Sequence, residues 1–78
     1  NPDVEQLQTD LNKLSRILPE IPPVRVTGYF GEQPEEAVRA LQKLYGIPVT
    51  GRVGALTWNT ITYLCRKFRP EIAANSET

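Results

Sequence analysis

Apolar residues recur at helical spacing in three stretches of the chain. Val4, Leu7, Leu11, Leu14 and Leu18 follow one another at steps of three and four, which places them on one helical face opposite Glu5, Thr9, Asn12, Lys13 and Arg16. Asn1-Pro2-Asp3 reads as the start of that helix. Asn1 can cap, Pro2 suits the first helical position, and Asp3 and Glu5 complement the positive end of the dipole. Ala37, Val38, Leu41, Leu44 and Tyr45 form a second stripe, and Trp58, Ile61, Leu64, Cys65 and Phe68 a third. These patterns predict helices near 3–17, 33–45 and 55–68. Pro19, Pro22 and Pro23 end the first, and Val24 and Val26 follow as a short extended piece. Pro34 is tolerated at the second helix start because first-turn N–H groups have no intrahelical acceptor. Gly46 followed by Pro48 stops that helix, and Pro70 is expected to close the third.

A repeat organises these elements. Thr27-Gly28-Tyr29-Phe30-Gly31 matches Thr50-Gly51-Arg52-Val53-Gly54, and the preceding helices match as Val4-x-x-Leu7-Gln8 against Val38-x-x-Leu41-Gln42. The expected fold is therefore all-α, a small three-helix bundle with two Thr-Gly-x-apolar-Gly turns. In each turn the first glycine, Gly28 or Gly51, makes the bend. Phe30 or Val53 plugs into the core, and Gly31 or Gly54 lets the backbone approach the next helix. The recurring Gln42, like Gln8, is expected to bond a turn backbone, since a partly buried amide seeks such partners. The expected core is Leu7, Leu11, Leu14, Phe30, Val38, Leu41, Val53, Trp58, Ile61 and Cys65. Residues 1–70 read as one domain and 71–78 as a frayed end, flexible tail or linker.

Composition narrows the chemistry. A chain of 78 residues, 40% hydrophobic and 23% charged, is one ordinary folded domain with a modest core. Nine basic and nine acidic residues balance, so the basic excess of a nucleic-acid binder is missing. Arg66, Lys67 and Arg69 read as cations at a helix C-terminus. Histidine is absent, which removes the commonest general base and metal ligand. The single cysteine, Cys65, permits no intrachain disulfide and reads as a packed thiol. No apolar run is long enough to span a membrane. Glu35 and Glu36 are adjacent, so they leave a helix in different directions and cannot face each other across a cleft as a glycosidase pair must. No catalytic residue, metal or cofactor is expected, and the isolated domain reads as a monomer.

The ordered set Val4-x-x-Leu7-Gln8-x-x-Leu11, Thr27-Gly28-x-Phe30-Gly31, Ala37-Val38-x-x-Leu41-Gln42, Gly46-Ile47, Thr50-Gly51-x-Val53-Gly54 and Thr57-Trp58 resembles the peptidoglycan-binding domain of bacterial cell-wall hydrolases. The likeness runs from about residue 4 to residue 68. It implies a three-helix, non-catalytic module that anchors a larger bacterial protein to peptidoglycan in the cell wall or spore envelope, in a version found in Gram-positive spore formers. It leaves open glycan or stem peptide as the ligand. The alternative is a protein–protein scaffold that keeps the fold without sugar binding. Where this family often has Thr, the chain has Pro34. The prodomain of matrix metalloproteinases shares the implied fold, but its inhibitory cysteine motif is absent here.

A sugar–peptide polymer offers hydroxyls, amides and carboxylates, so a site for it needs polar side chains, a flat aromatic and an Arg. Tyr29 and Arg52 occupy the variable position of the two turns. Asn59 and Tyr63 lie four apart on the outer face of the third helix. These four are the candidate ligand-binding patch, while Trp58 on the inner stripe is expected to serve packing.

Overall fold

The computed structural model describes residues 2–76, and the side chains of 3–74 within them. The proposed cap Asn1, and residues 77 and 78, lie outside the described residues. Among the described residues four helices follow in order: α1 Pro2–Ile17, α2 Glu32–Leu44, α3 Ala55–Lys67 and α4 Arg69–Ser76. The architecture is all-helical, and α1 packs against each of the other three. A radius of gyration of 11.5 Å matches that of a globular chain of this length, so the helices share one core.

Each helix end has a physical cause. At the end of α2, Gly46 takes φ +70°, a left-handed value open to glycine. Its N–H donates to the Lys43 carbonyl, and the Ile47 N–H donates to the Gln42 carbonyl at 2.8 Å. This pair of bonds satisfies carbonyls that the helix would otherwise leave open. Gly31 and Gly54, both extended, precede α2 and α3, and their carbonyls accept the N–H groups of Glu35 and Trp58.

Pro70 does not end the helical chain. α3 stops at Lys67, the chain bends at Phe68, and Pro70 sits in the first turn of α4, where a missing N–H costs nothing. The Ile72 N–H donates to the Phe68 carbonyl, and Ile72 is half-buried. Residues 71–76, read from the sequence as a frayed end or linker, are thus helical and, among the described residues, add a short fourth helix to the three expected.

The core is Leu7, Leu11, Leu14, Ile21, Val24, Ala37, Val38, Leu41, Ile61 and Leu64. Four residues expected inside, Phe30, Val53, Trp58 and Cys65, are half-buried and pack against its edge. Ile21 and Val24 take up the interior instead. They come from the proline-rich connection, where Pro22 and Pro23 hold the backbone extended between the two inward side chains. The Arg25 N–H bonds the Gln33 side chain, which pins this connection to the start of α2. Leu44 and Tyr45, assigned to the apolar stripe of α2, are largely exposed at its end.

Candidate functional site

Two buried glutamines organise the region. The Gln8 Oε1 accepts the backbone N–H groups of Thr27 (2.8 Å) and Gly28 (2.9 Å), while its Nε2 donates to the Tyr29 carbonyl (2.7 Å) and Thr27 Oγ1 (3.0 Å). Gln42 repeats the scheme. Its Oε1 accepts from Thr50 (2.9 Å) and Gly51 (3.0 Å), and its Nε2 donates to the Arg52 carbonyl (3.0 Å) and Thr50 Oγ1 (3.3 Å). Within each turn the threonine hydroxyl accepts the N–H two residues on. A buried amide is costly unless it is bonded, and here each carboxamide is saturated by the loop it shapes. Gly28 and Gly51 take φ 78° and 76°, which this bend requires. A Cβ on Gly51 would lie 2.9 Å from Glu35 Cγ, so the second turn sits directly on α2.

Held in this way, the two turns flank a groove of about 640 Å³. Phe30 from the first turn and Arg52 and Val53 from the second line it. Val4 and Leu7 of α1 and Trp58 of α3 complete its apolar wall, with Asp3 at one edge. Phe30, Val53 and Trp58 are only half-buried because they form this wall: one side of each rests on the core and the other faces the groove. The groove offers a flat aromatic, aliphatic surface and a guanidinium, which suits a ligand with apolar faces and a carboxylate or amide.

The four residues singled out from the sequence do not line one groove. Arg52 belongs to the groove just described. Asn59 and Tyr63 line a second, of about 550 Å³, with Tyr45, Pro48, Leu56 and Lys67. Tyr29 lines neither and is 73% exposed, its ring against Gly31. Burial raises the Tyr45 phenol above its ordinary pKa, helped by the charges of Glu20 and Tyr63. Glu35, considered as a possible acid, forms an ion pair with Arg39 on the surface of α2.

Val4, Leu7 and Thr57 escaped the sequence reading of the site. Val4 and Leu7 sit on the same stripe as the core leucines, and periodicity does not separate groove from core. Thr57 is buried and accepts a hydrogen bond from Gln42 Nε2 at 3.1 Å. Its signal is the repeat register: it stands three residues after Gly54, where the first copy has Pro34 three after Gly31.

A family model described as a putative peptidoglycan binding domain matches residues 1–61. Comparison with curated proteins and with solved structures found no match.

Proposed function

Because the chain belongs to the peptidoglycan-binding domain family, we propose that it is a non-catalytic module that fastens a larger protein to the bacterial cell wall through the groove between its two turns. The observation that carries this reading is the placement of Trp58 and Arg52 on one groove with Phe30 and Val53. An aromatic face takes the apolar side of a sugar or D-amino acid, and the guanidinium pairs with a stem-peptide carboxylate. Tyr29, Asn59 and Tyr63 lie outside this groove and serve as flanking contacts of a polymer that extends beyond it. The setting proposed is the envelope of a Gram-positive bacterium, with the module acting as a monomer. A shallow site binds weakly, but many ligand copies on one polymer, or linked modules, raise the avidity.

Co-sedimentation with purified insoluble peptidoglycan tests the proposal. The parent chain is expected in the pellet, and Arg52→Ala should weaken pelleting about tenfold, the size of one charged hydrogen bond. Asn59→Ala/Tyr63→Ala should weaken it less. The walls should release no soluble fragments, since histidine is absent and Glu35 is held in an ion pair with Arg39. The exposed apolar side chains of the second groove, Tyr45, Leu56 and Tyr63, favour a scaffold reading as the alternative. A parent chain that stays in the supernatant, even as a tandem repeat, would select it.

A further inference from the structure

A separate cleft of about 320 Å³ opens between α1, α3 and α4. Lys13, Arg66 and Arg69 line it, with Asp10, Thr62 and Ile72. Three cations thus face a single carboxylate, in a chain whose formal charge is zero. Glu35 is taken up by an ion pair with Arg39 on α2, an element that does not line this cleft.

Helix electrostatics account for Arg66 and Arg69 but not for Lys13. Arg66 is in the last turn of α3, where the dipole favours a cation. Arg69 directly follows the α3 cap Phe68, so the same dipole favours it although it also opens α4, whereas Lys13 comes from α1 ahead of its last turn. A third cation set beside these two against their mutual repulsion needs another reason. Asp10 offsets only part of this charge: burial raises its pKa, while a hydrogen bond from Gln6 and the charge of Lys13 act the other way, and two guanidiniums remain beside it.

We infer that this cleft binds an oxyanion of more than one negative charge, with phosphate as the matching chemistry. A monocarboxylate would satisfy one guanidinium, whereas a phosphate presents oxygens to two forks and an ammonium at once. The group comes either from free phosphate or from a phosphodiester polymer. This inference is independent of the wall-binding groove, which lies on other residues.

The test is an amide NMR titration of the full chain with inorganic phosphate, ionic strength being held constant with chloride. Saturable shifts are expected at Asp10, Lys13, Thr62, Arg66 and Arg69, with the Trp58 indole unmoved. Arg66→Gln/Arg69→Gln should raise the half-saturating phosphate concentration about tenfold or more. Asp10→Asn should lower it by removing the opposing charge. Should the double variant lose its helical circular dichroism, Lys13→Gln, an exposed change within α1, takes its place with the same expected direction. A poly(glycerol phosphate) titration separates the sources: tighter binding per phosphate marks the polymer, and equal binding marks the free anion. Shifts that do not saturate, or that are undiminished in the charge variants, would overturn the inference.

Discussion

Gln8 and Gln42 clasp equivalent turns, yet Gln42 reaches one acceptor more. Both carboxamides take two backbone N–H groups and return their protons to a carbonyl and a threonine hydroxyl. In the second copy Thr57 Oγ1 is a third acceptor that shares one of the two Nε2 protons. The equivalent Pro34 is buried in the first copy and has no hydroxyl to offer. The connections differ as well. Gln8 precedes its turn by a long proline-rich segment, whereas Gln42 is separated from Thr50 only by the end of α2 and a short link. The same turn forms across both, so the glutamine, rather than the length of the connection, sets its shape. The local asymmetry extends to the partner helices: Val38 and Leu41 are fully enclosed, while their counterparts Val4 and Leu7 line the groove. Two near-identical units thus yield one closed core and one open surface.

Removing the clasps should produce the largest effects. Gln42→Ala strands the Thr50 and Gly51 N–H groups and is expected to lower unfolding free energy by about 3–5 kcal/mol, counting the cost of each unsatisfied buried group. Gln8→Ala should cost about 1 kcal/mol less, for want of the Thr57 bond. Urea unfolding followed by circular dichroism measures both, and equal losses would remove the distinction between the turns.

Glycine substitutions come next. Gly51→Ala combines a left-handed φ of 76° with a Cβ contact of 2.9 Å, whereas Gly46→Ala has φ 70° and open space. The left-handed conformation alone costs about 1–2 kcal/mol, so Gly46→Ala should show that loss and Gly51→Ala roughly twice it. Similar midpoint shifts for both would mean that the second turn does not press on α2.

How far the sequence carried the picture is clear at these positions. The repeat located both turns, the recurring glutamines and the three long helices, because glycine punctuation and helical periodicity are local signals. It did not separate Phe30, Val53 and Trp58 from the core, since an apolar residue at the edge of a groove has the same period as one inside. Ile21 was invisible because it stands alone between prolines, with no periodic neighbours. α4 was hidden by Pro70, which reads as a stop but suits a first helical turn equally well. The grouping of Arg52 with Asn59 and Tyr63 assumed one outer surface, while the structure gives them to different grooves.

A smaller effect sharpens the comparison further. Thr57→Val should cost about 1 kcal/mol, and on that background the difference between Gln42→Ala and Gln8→Ala should vanish. A difference that survives would have to come from something other than the threonine.

Cys65, which touches neither turn, has no such effect at neutral pH and gives an internal control confined to high pH. Burial, aided by the charge of Asp10, pushes its thiol from 9.0 to about 11. The fold therefore favours the protonated thiol. That contribution is complete below pH 9, and it is lost as pH rises toward 11 because the unfolded chain releases its proton first. Cys65→Ala should flatten the fall in thermal midpoint over this range while leaving the behaviour of both glutamine variants unchanged.

The central claim is that the surface left open between the two turns is where peptidoglycan binds. Trp58 is the sole tryptophan and lies on that surface, so its fluorescence reports the groove alone. Titration with soluble peptidoglycan fragments should change the Trp58 emission saturably, and Arg52→Ala should raise the half-saturation point about tenfold. Emission that stays constant while the same protein still pellets with insoluble walls would place binding elsewhere and contradict the account.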